Sequence, residues 1–200
     1  MKENVETVLD FWFGESPDDR IVAEQKSALW WSANSETDRI IHERFAELRE
    51  AAITGKLDDA LQTPEGRLAL IILVDQFSRN LFRNYSRAYT HDALARAWTL
   101  EGLAQAADRK LRPSQRLFFY LPLEHSESIA EQDHSVALFQ TLSQQVSETQ
   151  RALFENFLDY AEKHRAVIAR FGRFPHRNAV LGRESTAEEI EFLKQPGAAF

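Results

Sequence analysis

The sequence predicts an all-α fold, a compact helical array in one domain spanning residues 1–200. Three observations carry this. No segment shows sustained two-residue alternation of apolar and polar side chains bounded by turns, so no strand is expected. Apolar residues recur instead at three- and four-residue spacing. Helix start and stop signals also follow one another along the whole chain, with no linker-like or low-complexity tract between them.

The first helix is expected from about Asn4 to Phe13, with Gly14 as its stop. Residues 15–34 carry no clear signal beyond the Trp30-Trp31 pair near their end. Ser35-Glu36-Thr37-Asp38 reads as a capping box with Asp in place of Glu, opening a helix through Ile40, Ile41, Phe45, Leu48 and Ala52 to Gly55. Thr63-Pro64 is a start signal, because Thr caps and Pro suits the first turn. The helix that follows is expected to run to about Arg83, buried on every face through Leu68 to Val74. A further helix spans about Ser86 to Ala107. A short one starts at Arg112-Pro113 and is broken by Pro122, which leaves Glu124 and His125 near the N-terminus of the next, about Ser126 to Ser147. Glu148 to Phe171 follows. After a polar loop, Ser185-Thr186-Ala187-Glu188 reads as the box for a last short helix.

Composition narrows the function. Hydrophobic residues make up 44% and charged residues 28%, an ordinary globular balance, with fourteen Phe and four Trp as apolar bulk. Twenty-four basic against 31 acidic residues give a formal charge of −7, which argues against a nucleic-acid partner. Without cysteine, thiolate chemistry and disulfides are excluded. The N-terminus is acidic and amphipathic, unlike a secretory signal, and the longest apolar run is too short to cross a bilayer. A cytoplasmic protein with no membrane partner is expected. No Gly-rich phosphate loop, Gly-x-Ser-x-Gly elbow, EF-hand loop or His-Glu-x-x-His occurs, so neither cofactor nor metal is expected.

Three constellations carry chemistry. Asp75, Arg79 and Arg83 form an i, i+4, i+8 ladder on the apolar central helix, beside Gln76 and Asn80. Burial makes such charges costly unless paired, so the strip either ties helices together or faces a polar cavity. Glu124 and His125 lie side by side in LPLEHSE, a pairing suited to proton transfer; the plainer reading is that Glu127 or Ser126 caps the helix and His125 is a satisfied interior residue. The segment 171–186, FGRFPHRNAVLGREST, gathers Arg173, His176, Arg177, Asn178 and Arg183 around Gly172, Pro175 and Gly182. Its guanidinium forks suit a carboxylate or phosphate, whether of a ligand or of this chain's own Asp75, Glu124 or Glu127. His164 lies on the apolar stripe of its helix and reads as a hydrogen-bonded core residue.

VLDFWFG at 8–14, LALIILVDQFSRNLFR at 68–83, FFYLPLEHSE at 118–127 and RFGRFPHRNAVLGREST at 170–186 together resemble the largely bacterial family catalogued as domain of unknown function 924. The resemblance implies an all-helical, tetratricopeptide-like fold and no catalytic assignment. Ser78 stands where the family usually has Pro in Asp-Gln-Phe-Pro-Arg-Asn, which is expected to leave this helix straighter.

Two functions follow as expectations. In one, Glu124, His125 and His176 act beside a pocket in which Asp75, Arg79, Arg83, Arg173, Arg177, Asn178 and Arg183 hold a small anionic molecule. In the other, a tetratricopeptide-like module holds an acidic peptide, and the polar cluster is structural.

Overall fold

A computed structural model describes residues 3–198. Among them every regular element is helical. Helix α1, Val5–Phe13, opens on a reciprocal cap between Asn4 and Thr7 and ends at Gly14, whose φ of 69° suits glycine. Helix α2, Asp19–Trp31, fills the stretch that periodicity leaves unassigned; Asp18 caps it. Helix α3, Ser35–Ile53, is capped by Asn34 rather than Ser35. The expected box at 35–38 therefore does not form. Asn is as strong a cap as Ser, and taking that place one residue earlier puts Asp38 in the first turn.

Thr63 and Pro64 start α4, Pro64–Ile71, as expected. The helix does not continue regularly. Ile72–Gln76 is a π-helical turn, closed by the Phe77 N–H on the Ile72 carbonyl, and α5 spans Phe77–Leu81. Ser78 does not straighten this helix. Its hydroxyl donates to the Val74 carbonyl at 2.5 Å and accepts from Arg49 at 2.8 Å, tying a turn loosened by the π geometry. Leu68 to Val74 are all fully buried.

The expected helix from Ser86 begins later. Ser86–Ala88 is a 3-10 turn, and α6 spans Asp92–Ala104. Helix α7, Pro113–Glu124, runs through Pro122 instead of ending there. The His125 N–H still reaches the Leu121 carbonyl at 2.9 Å, and the buried Thr99 hydroxyl donates to the Phe119 carbonyl at 3.1 Å. Pro122 lies in the last turn and removes only one donor, so packing of an apolar helix outweighs it. Glu124 and His125 thus sit at a helix C-terminus, not an N-terminus.

Helices α8, Ile129–Gln145, and α9, Glu148–Phe171, follow, and α9 stops at Gly172 in the left-handed conformation. A 3-10 turn, Pro175–Arg177, precedes α10, Ala187–Phe192. The last box is Thr186 with Glu189, one residue beyond the expected one.

One apolar cluster extends from Val8 to Ala161. Trp12 packs edge-on against Phe77 and Phe118, joining α1, α5 and α7, and the Trp30 indole N–H donates to the Trp12 carbonyl at 3.0 Å. Val167, Ile168 and Phe174 form a smaller cluster with Phe171 and Phe192, which anchors the segment after α9. No described helix is long and apolar enough to cross a membrane. The tetratricopeptide-like arrangement remains an implication of the resemblance.

Candidate functional site

The π turn sets Asp75 and Gln76 inside the protein, at 1% and 7% exposure. π turns within helices recur at functional sites because they re-aim side chains that regular geometry would stack. Asp75 Oδ1 meets His125 Nδ1 at 2.9 Å and Arg79 Nη1 at 3.0 Å, and Gln76 donates to Oδ2 at 2.6 Å. Burial alone would raise the Asp75 carboxyl; the Arg79 charge and the hydrogen bonds from His125 and Gln76 outweigh it and hold the group well below the carboxylate range. Asp75 is therefore an acceptor. Its contact fixes the hydrogen of His125 on Nδ1 and leaves Nε2 as the basic nitrogen. Burial and the Arg79 charge lower the His125 pKa, so the ring is neutral near neutrality.

Arg79 is doubly engaged. It forks onto Asp92, with both bonds at 3.1 Å, and also donates to the Asp75 carbonyl at 2.9 Å. Asp92 stands in the first turn of α6, where the helix dipole favours a carboxylate.

Glu124 and His125 are sequence neighbours with different partners. Glu124 Oε1 lies 3.1 Å from His164 Nδ1, and that nitrogen also meets the Tyr160 carbonyl at 2.8 Å. Burial, then the Asp75 charge, push the Glu124 carboxyl up to about 8, while burial first takes His164 down to about 3. This contact therefore joins neutral groups near pH 7, not an ion pair. Gln132 on α8 steadies the end of α7, donating to the carbonyls of Glu124 at 2.6 Å and Ser126 at 2.7 Å.

The 3-10 turn brings in Arg177. It donates to the His125 carbonyl at 2.9 Å and its guanidinium lies over Phe174 and Tyr89, at 4.3 and 4.8 Å from the ring centroids. Its carboxylate neighbour Asp92 is 3.9 Å away, and its buried Nε has no hydrogen-bond partner. Burial, then Arg79, bring its pKa down to about 10, so it remains a cation near neutrality. His176 is half-buried beside Phe174, and burial and Arg177 lower its pKa to about 4.

Asp75, Arg79, Glu124, His125, His176 and Arg177 thus share one neighbourhood. The remaining expected members lie outside it. Arg83 falls beyond α5, which ends at Leu81, and it forks onto Asp38 of α3 at 2.5 and 3.0 Å; Asn80 joins it there at 2.8 Å. Arg173 forks onto Glu189 at 2.7 and 2.8 Å. Arg183 forks onto Glu127 at 2.7 and 2.9 Å and donates to Asn178 Oδ1 at 3.0 Å. Asn178 in turn donates to Ser185 and Glu189. These contacts fold the segment 172–186 onto the domain, since Glu127 also accepts the Phe174 N–H at 2.8 Å.

Nor does the cluster form an open pocket. Side-chain exposure is 1% for Asp75, 6% for Glu124, 7% for Arg177 and 14% for His125. Two surface depressions lie elsewhere, one along Glu47, Glu50 and Lys56, the other beside Trp31, Leu153 and Phe157. Tyr89, His176 and Arg79 are partly exposed. Sequence reasoning missed Asp92 and Tyr89, which carry no local signal, and read His164 only as core.

The sequence model of a family described as bacterial protein of unknown function (DUF924) matches residues 8–197. A solved structure of a protein of unknown function from Agrobacterium tumefaciens is similar. It is 36% identical with a TM-score of 0.80, over 95% of this chain and 96% of that one. No curated protein matches the chain.

Proposed function

We propose, for a chain that belongs to the bacterial protein family of unknown function DUF924, that the cluster binds a small anionic molecule beside an Asp–His pair arranged for proton transfer. Arg177 is the observation that carries the reading. A guanidinium this deeply buried normally has carboxylates on its fork. Arg177 instead has one neutral carbonyl at 2.9 Å, two aromatic faces, a carboxylate no nearer than Asp92 at 3.9 Å, and an Nε without a partner. A carboxylate or phosphate would complete it. Arg79, already held by Asp75 and Asp92, supplies rigidity and a second positive charge. His125 is the base, acting through Nε2, with Asp75 orienting the ring and stabilising the imidazolium formed on proton uptake. The low exposure of these groups favours a small molecule over a peptide segment.

Charge balance favours a second reading. Asp75 and Asp92 match Arg79 and Arg177 in charge, as in a purely structural network. Thermal melts with inorganic phosphate or malonate separate the two. On the functional reading, the melting temperature of the parent rises with anion concentration. A hundredfold excess over Kd is worth about 2.7 kcal/mol. Arg177→Gln should keep the helical circular dichroism spectrum and lose that response. A parent indifferent to both anions, or an Arg177→Gln variant that responds equally, returns the cluster to a structural role.

A further inference from the structure

Glu124 is unlike the other buried carboxylates among the described residues. Asp19, Asp75, Asp92 and Glu189 each meet a guanidinium within 3.1 Å, and Asp108 has Arg116 at 3.9 Å and the Tyr120 hydroxyl at 2.7 Å. Glu124 is equally buried, at 4% exposure, yet its contact within ion-pair distance is an imidazole. It is the last residue of α7, where the negative end of the helix dipole disfavours a negative side chain.

The groups around it agree. Asp75, from the π turn, is already ionised and repels a second carboxylate. Arg79, from α5, is engaged by Asp75 and Asp92. His125, the next residue, donates to Asp75. His164, from α9, is kept neutral by burial, with the Arg177 charge from the 3-10 turn adding to that effect. A carboxylate at this place would be a buried charge without a counterion, so the protonated form is the one the site accommodates.

His164 also orders the acid. The Tyr160 carbonyl can only accept, so Nδ1 of His164 carries the hydrogen. Glu124 Oε1 lies 3.1 Å from that nitrogen. An oxygen beside a nitrogen that already carries hydrogen is the poorer place for a second one, so the acid hydrogen belongs on Oε2. We propose that Glu124 is the hydrogen donor of this site, a neutral carboxylic acid positioned by His164 that offers its O–H to the anion held by Arg177. The ligand class is narrowed to anions with an acceptor oxygen placed to take that hydrogen. The donor role rests on the anion-binding reading; the protonation of Glu124 does not.

Carbon-13 NMR of carboxyl-labelled glutamates in the full-length protein tests both parts. One resonance, missing from Glu124→Gln, should titrate with a midpoint near 8. If every glutamate titrates near the ordinary value of about 4.5, the proposal fails. Losing the donor in His164→Phe should raise the midpoint, and His164→Gln should bring it back toward the parent, because a donor to a carboxyl oxygen favours its charged form. No response to either variant removes His164 from the role. Malonate, whose carboxylates do not titrate in this range, reports the donation. Its thermal shift in the parent should be larger at about pH 7 than at about pH 9, and the same at both in Glu124→Gln. A pH-independent shift in the parent overturns the donor role. No malonate shift at either pH overturns anion binding and the donor role together, while the NMR titration still decides whether Glu124 is neutral.

Discussion

Glu124→Gln should leave a protein that gains stability over its parent as the pH rises. Below about pH 4.5, the ordinary glutamate value, the carboxyl is protonated in both the native and the unfolded chain. Between there and about 8 the unfolded chain has lost its proton and the native chain keeps it. The native state then binds more protons, so stability falls as pH rises, by about 1.4 kcal/mol per pH unit for one group. Over the whole window the loss is about 5 kcal/mol, and above it no further loss occurs. Glutamine is neutral throughout and escapes this term. Urea unfolding of parent and variant over a pH series gives the difference directly, because other titrating groups cancel in it. The difference should climb through the window and then level off, at unchanged m-value. A difference that stays flat with pH would refute the reasoning, since Glu124 would then ionise as an ordinary glutamate.

Two other substitutions test the supports of the cluster. Asp75→Asn removes a buried charge that holds Arg79 and His125, and should cost about 3–5 kcal/mol in urea unfolding; a parent-like midpoint would contradict the burial argument. Glu127→Ala takes away the acceptor of Arg183 and of the Phe174 N–H, so limited proteolysis within 172–186 should accelerate while the helical spectrum is kept. Cleavage at the parent rate would mean that the small apolar cluster around Phe174 fixes this segment alone.

The legible parts of the fold were those with local causes. Thr63 and Pro64 announce α4, Asn4 and Gly14 bracket α1, and Gly172 ends α9, because caps and left-handed stops depend on a few adjacent residues. The π turn at Ile72–Gln76 was not legible, since an apolar run on every face has no phase to betray an extra residue. Pro122 misled for the opposite reason: a strong local rule yields to the burial of Phe118, Phe119 and Leu123 around it. At the site, residue type pointed to Asp75, His125 and Arg177, which carry chemistry wherever they stand. It gave no means of telling Arg177 from Arg173 and Arg183. All three lie in one segment, and only the fold shows that Glu189 and Glu127 take two of them. Asp92 was invisible because its role is to bridge arginines that are distant in sequence.

The central claim is that Arg177 awaits an anion beside His125. A crystal structure of the protein grown with malonate or phosphate examines it most directly. The account predicts an anion oxygen within hydrogen-bond distance of Arg177 Nε, with His125 still donating to Asp75. Anion density confined to other surfaces, with Arg177 Nε bonded to water or turned onto Asp92, would contradict it.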